Sequence, residues 1–338
     1  MREPNFENLL AVLRNRKPDR PTLFEFIIAS EVVLPVDELL PGDDPRSQLQ
    51  NQIRAFHRNS YDCACLPPWV LWPDLKFNCQ ERTRDHSISL NEGGVIKSRA
   101  DFEKYVWPDM DAVGYDLIEW AAQGLPAGMK FICCSMGGVL ENLISLVGYE
   151  DLCYLVIDQP DLVTDICAAI GSRLLRYYER CLQFDCIGAA VVNDDWGFKT
   201  QTMLAPADMR RFIFPWHKRI VAAIHKAGRP TILHSCGQMI EVWDDIIDDI
   251  RLDAKHSFED TIIPIEESYD RWGGRIAMVG GIDVDCLCRS TPHAIYRRSK
   301  AMLERAQTRG GYALGTGNSV TPYIPPANYR AMIRAALE

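Results

Sequence analysis

No apolar run in this chain approaches the ~20 residues needed to span a bilayer as a helix, which argues against a membrane protein. No block of lysines and arginines occurs, and 46 acids against 37 bases leave a formal charge of -9. That balance speaks against nucleic acid phosphates or anionic lipid as a main partner and favours a small molecule or another protein. The opening residues, with Arg2, Glu3 and Pro4, form no basic-then-apolar leader, so a cytoplasmic protein is expected. The twelve cysteines include no Cys-x-x-Cys pair. They are scattered through apolar stretches such as Cys133-Cys134, Cys153, Cys167, Cys181 and Cys186, where a small buried thiol is the ordinary state and a disulfide framework is not expected. Internal repeats, Ser/Gly linkers and low-complexity tracts are missing too, so the 338 residues, 47% of them hydrophobic, are expected to form a single domain, 1–338.

Against these absences one short motif stands out. The apolar run Thr231-Ile232-Leu233 ends in His234-Ser235-Cys236 and is followed at once by Gly237. In an extended segment residues i and i+2 point to the same side, so the His234 imidazole and the Cys236 thiol can converge on one point while Ser235 faces away. Two soft ligands so placed are half of a zinc site, which takes three or four N, S or O donors.

Strand-like segments recur at 21–28, 62–66, 130–135, 186–193, 229–234, 252–257, 275–281 and 311–315, with helical patterns between them at 206–227, 239–250 and 293–309. Eight strands too apolar to have a wet face, alternating with helices, predict a parallel (β/α)8 TIM-type barrel. One connection, 72–129, is too long for a simple crossover. Its stretch from Ser87 to Lys97, turning at Asn91-Glu92-Gly93-Gly94, predicts an inserted β-hairpin after the second strand, decorating the barrel mouth.

Catalytic groups of such barrels sit at the C-terminal ends of strands. Polar residues closing apolar runs are therefore the candidates: Asp194, Asp195 and Trp196 after the fourth strand, His256 and Glu259 after the sixth, Asp283 after the seventh, and Thr316 and Asn318 after the eighth. Helix capping is the competing role for Asp194, Asp195 and Asp283, and simple burial the competing role for His256. Cys286 and Cys288 begin a predicted helix, where i and i+2 diverge, so they are not expected to share an ion. Cys63 and Cys65 lie inside a strand and are expected to be core. Gly315-Thr316-Gly317 lacks the rest of a dinucleotide fingerprint.

Taken in order, Phe6 to Pro21, Gly137-Gly138-Val139-Leu140, Asp195 to Pro215, Gly280-Gly281-Ile282-Asp283 and the last glycine loop before Pro325 resemble the uroporphyrinogen decarboxylase superfamily, which includes zinc-dependent corrinoid methyltransferases. The resemblance covers almost the whole chain and implies the same barrel. Tetrapyrrole decarboxylation in that superfamily relies on paired arginines after the first strand and an aspartate after the second. Here those places read Leu23 to Ser30, with no arginine, and Leu66-Pro67-Pro68-Trp69. Carboxylates buried there without cations would each cost several kcal/mol, on the order of a lost ion pair, so true uroporphyrinogen decarboxylation is not expected.

The methyltransferase branch is closer, because its zinc motif is a His-x-Cys at a strand end with a distant third cysteine in the final glycine loop. His234 and Cys236 match as metal ligands, but Thr316 stands where that cysteine is expected. Glu259, His256, Asp195 and Glu25 are the candidates for a third ligand. The resemblance thus implies a zinc enzyme moving methyl between a small substrate or thiol and a corrinoid carried by a partner protein. His256, Asp195 and Glu259 are the catalytic candidates, and Asp194, Asn318, Glu25 and Trp196 the substrate-binding ones. Trp69, Trp72 and Trp196 suggest an aromatic-walled pocket. A homodimer is expected from the resemblance alone. The alternatives are a metal-independent decarboxylase or lyase of a small organic acid, using His256 with Asp195, and a non-catalytic ligand-binding barrel.

Overall fold

The computed structural model describes residues 2–42, 44–79, 90–91 and 94–338. Seven strands, β1 (Cys63–Leu66), β2 (Lys130–Cys134), β3 (Ile187–Asn193), β4 (Thr231–His234), β5 (Ala254–His256), β6 (Ala277–Val279) and β7 (Tyr312–Ala313), form one sheet in sequence order. Every pairing is parallel, an α/β arrangement compatible with a TIM-type barrel. The strands are buried along nearly their whole length, β3 over all seven residues, which is why they read as continuous apolar runs without alternation.

The longer helices that cover the sheet each bury an apolar face. In Pro160–Cys181 the buried residues Leu162, Val163, Ile166, Ile170, Leu174 and Tyr177 recur at helical spacing, and Pro160 supplies a preset φ at the first turn. Each such side chain, fully buried, contributes roughly 1.5–3 kcal/mol. The predicted helix 206–227 forms, but with a π turn at Met209–Ile213 before Phe214–Lys226. Pro215 has no N–H to continue the ladder, and the Phe214 N–H reaches back five residues to Met209. The 239–250 segment is irregular, with a 3-10 turn at Ile240–Val242 and a π turn at Asp245–Asp249, whereas Pro292–Ala306 is a regular helix capped by Thr291.

The first predicted strand does not become a ladder strand. Residues 21–28 meet the segment that follows β7 through the isolated parallel bridges Leu23 to Leu314 and Ile28 to Val320. Between those bridges the Glu25 side chain takes the Thr316 N–H, so a side chain replaces the backbone acceptor and interrupts the ladder. Of the predicted hairpin, 87–97, residues 87–89 and 92–93 lie outside the described ones, and the described residues 90–91 and 94–97 form no strand. Within the rest of 72–129 the structure has a 3-10 turn at Pro73–Leu75 and helices at Arg99–Lys104 and Asp116–Gln123, and the Val95 and Ile96 N–H groups both bond the Leu146 carbonyl. Among the described residues no helix is long and apolar enough to cross a membrane.

Candidate metal centre

The register of the sheet sets Asn193, His234 and His256 side by side at the C-terminal ends of β3, β4 and β5. Just beyond, the backbones after β3 and β4 touch: the Gly197 N–H bonds the Cys236 carbonyl at 3.1 Å and the Gln238 N–H bonds that of Phe198 at 2.7 Å. Gly237, at φ +87°, makes this approach possible, since a Cβ there would lie 2.2 Å from the Gly197 carbonyl. The contact brings Asp195 to the His-x-Cys motif, and its Oδ1 accepts the Cys236 N–H at 2.9 Å. One ligand atom from each of Asp195, His234 and Cys236 then lies within 4.8 Å of the others. Of the four candidates for a third ligand, Asp195 is the one this group includes.

His234 presents Nε2 to the Cys236 sulfur at 3.9 Å, while its Nδ1 faces Nδ1 of His256 at 2.7 Å. Phe26 lies against the His234 ring at 4.5 Å, and both Phe24 and Phe26 abut His256. Gly280 at φ +80° completes the enclosure, because a Cβ there would come 2.9 Å from His256 Nε2. Burial, then the nearby Lys255 charge, pushes His234 down to about 3. Burial pushes His256 well below its ordinary value, helped by His234 and Lys255. Both rings are neutral at physiological pH, and one must carry its proton on Nδ1 for the 2.7 Å contact to be a hydrogen bond. If His234 offers the Nε2 lone pair to a metal, that proton sits on its own Nδ1 and His256 accepts it.

The Cys236 sulfur accepts from two side chains, Asn318 Nδ2 and Ser257 Oγ, each at 3.3 Å. Burial, followed by the Asp195 charge, pushes the Cys236 thiol up to about 12. Thr316 has no part in this group: its N–H and hydroxyl both bond the Glu25 carboxyl group at 2.7 Å. Glu25 is fully buried, and desolvation raises it to about 8 despite those two bonds.

The remaining candidates are placed elsewhere. Asp194 is fully buried and accepts from the Leu140 N–H, the Glu141 N–H, Trp196 Nε1 and His217 Nε2 at 3.0, 2.9, 2.9 and 2.8 Å. It caps the helix Val139–Val147 across the sheet, and Trp196, itself without exposed surface, serves that same network. Asp283 caps the helix Val284–Arg289 through the Cys286 N–H, the competing role weighed for it. Glu259 lines a cleft of about 20 Å³ with Lys255, Ser257 and Phe258. Two residues escaped the sequence reading. Ser257, at φ +78°, donates to Cys236, and Lys255 is almost wholly buried beside it. A lysine between Ala254 and His256 in an apolar strand was the available signal.

Relatives of known sequence or structure can be set against this geometry. The chain is 32% identical over 123 residues to a uroporphyrinogen decarboxylase from Bacillus mycoides, a stretch covering 36% of this chain and 33% of that protein. The corresponding protein of Anaeromyxobacter dehalogenans is 28% identical over 138 residues, 39% of this chain and 36% of the relative. The matched stretches thus span about a third of the length of these relatives. A methyltransferase from Methanosarcina mazei has the same fold, with a TM-score of 0.75 at 16% identity over 99% of this chain and 98% of that one. A putative vitamin-B12 independent methionine synthase from Listeria monocytogenes gives 0.50 at 12% identity over 100% and 98%. The pattern of the uroporphyrinogen decarboxylase (URO-D) family matches residues 42–338, and the chain belongs to that family.

Proposed function

We propose that this protein is a zinc-dependent methyltransferase-like enzyme that moves a methyl group between a small substrate or thiol and a corrinoid held by a partner protein. The observation that carries the reading is the convergence of Asp195, His234 and Cys236 at the strand ends. A mixed O, N, S donor set suits zinc, and three protein ligands leave a position for an exogenous one. Zinc bound there would lower the pKa of a substrate thiol or polarise a bond to methyl.

The chain's own residues divide the work. His234 Nε2, Cys236 Sγ and an Asp195 oxygen would hold the ion. Asp195 also accepts the Cys236 N–H, so carboxylate and thiolate are fixed relative to each other. Asn318 and Ser257 donate to the sulfur and spread its negative charge. Phe26 shields the imidazole and excludes water from one side of the site. His256, enclosed behind His234, orients that ring instead of meeting substrate. That enclosure disfavours the metal-independent lyase reading, which needs His256 as an acid or base in contact with substrate. The absence of an arginine between Leu23 and Ser30 disfavours a substrate with many carboxylates, and Glu25, fully buried against Thr316, offers no substrate contact.

Metal analysis tests the proposal. Protein purified without chelator should carry, or take up on titration, about one equivalent of zinc, and His234→Ala and Cys236→Ala should abolish uptake. Wild-type protein that takes up none excludes it. A methyl-transfer assay with free methylcobalamin and small thiols then examines the reaction itself.

A further inference from the structure

Outward-facing positions of a parallel barrel strand pack against helices and are normally apolar. Lys255 on β5 breaks that rule. It pairs in register with Leu233, one residue out of phase with the His234 and His256 pair, so it points to the opposite face from the candidate ligands. It is 1% exposed, and among the described residues no carboxylate is bonded to it. Instead its three N–H donors reach three backbone carbonyls: Ser235 and Ser257, each at 2.8 Å, and His256. An ammonium has three donors, so its hydrogen-bonding capacity is filled. Burial lowers the Lys255 ammonium to about 7, and the three carbonyls that accept from it offset part of that cost, which makes its placement informative.

Each of those carbonyls belongs to a residue next to the candidate centre. Ser235 separates the ligands His234 and Cys236. His256 bonds Nδ1 of His234, and Ser257 donates its hydroxyl to the Cys236 sulfur. Ser257 holds φ at +78°, a left-handed conformation unusual for a side chain-bearing residue, and that conformation accompanies the hydroxyl's approach to the sulfur. The phenyl ring of Phe258 lies 5.0 Å from the ammonium and closes the cleft over it.

We infer that Lys255 and Ser257 form one positioning unit: the buried ammonium ties the ends of β4 and β5 together and holds the strained Ser257 hydroxyl on the Cys236 sulfur. The unit touches neither substrate nor metal. It acts by fixing the sulfur's hydrogen bond and the relative placement of the two histidines. The inference rests on the zinc reading above and goes beyond it by assigning residues outside the ligand set.

Cobalt(II) substitution is the test, read by zinc competition and by the sulfur-to-cobalt charge-transfer band. Ser257→Gly removes the hydroxyl and suits φ +78°, so this variant should fold at least as well as wild type. Its charge-transfer band should move to longer wavelength, since a thiolate stripped of a hydrogen-bond donor gives up charge more easily, and zinc should bind roughly ten-fold more weakly. Lys255→Met should give the same direction with a loss of about 10–100-fold in zinc affinity. Because it takes a donor from three buried carbonyls, of which the His256 one keeps the Ser235 N–H, it risks not folding, and Ser257→Gly decides the matter in that case. A wild-type band and affinity in Ser257→Gly overturn the positioning unit while leaving the zinc reading standing. Wild-type protein that binds neither metal ends both.

Discussion

His234 and His256 meet Nδ1 to Nδ1 at 2.7 Å, across adjacent strands whose Cα atoms are in register. The contact forces a choice of tautomer, and the choice that frees His234 Nε2 for a metal makes His256 the acceptor. Replacing His256 with leucine leaves the His234 N–H without a partner in a dry site. Zinc affinity should fall about 10–100-fold, the usual effect of losing such an outer partner, with near-native far-UV circular dichroism. An affinity within two-fold of wild type, measured by chelator competition, would show that the pair does not orient the ligand.

Proton release offers a second measurement. Burial holds the Cys236 thiol at about 12 and His234 at about 3 in the metal-free protein. Near neutrality the sulfur therefore carries a proton that a metal must displace, and the imidazole carries none to lose. Between pH 6 and 9 zinc affinity should rise roughly ten-fold per pH unit, with about one proton released per ion. Calorimetry in two buffers of different ionisation enthalpy reads that number directly. A flat profile would mean that Cys236 does not ligate.

Much of this site was legible because strand periodicity is simple. His234-Ser235-Cys236 closes an apolar run, and alternation alone puts its two ligands on one side. Asp195 could be proposed as a partner from its place at a strand end, but choosing it over Glu25, Glu259 and His256 required the Gly197 to Gly237 contact, a long-range backbone approach with no local signature. Asp194 and Asp195 are neighbours in sequence with different fates, since one turns to a helix N-terminus and the other to Cys236. Composition cannot separate them. The shortfall in strands has the same origin. The 21–28 segment has the apolar pattern of a strand, yet the pairing of Glu25 with Thr316 some 290 residues later breaks its ladder.

That Glu25 to Thr316 pair makes a stability prediction with a definite sign. Burial raises the Glu25 carboxyl to about 8 against an ordinary value of 4.5. Between those values the folded protein keeps a proton that the unfolded chain loses, so stability is full below about pH 4.5 and declines as pH rises toward 8. The loss attributable to this residue is on the order of 5 kcal/mol at most. Glu25→Gln keeps an acceptor for Thr316 and cannot ionise, so its stability relative to wild type should improve between pH 5 and pH 8. Urea unfolding at the two pH values checks this, and an unchanged difference would place Glu25 in a more polar setting than its burial indicates.

Asp194 supplies the contrast between a site residue and a scaffold residue. Its two oxygens take four N–H donors, two from the first turn of Val139–Val147 and one each from Trp196 and His217. An amide at this position turns an NH2 group toward donors, leaving at least one of them unpaired in a fully buried setting. Asp194→Asn should therefore lose about 3 kcal/mol of stability, readable as a lower urea midpoint. Zinc uptake at low temperature should survive, because the ligand carboxylate is that of Asp195 and the Gly197 to Gly237 contact is made by other atoms. A variant with unaltered stability but impaired substrate affinity would instead return Asp194 to the binding site.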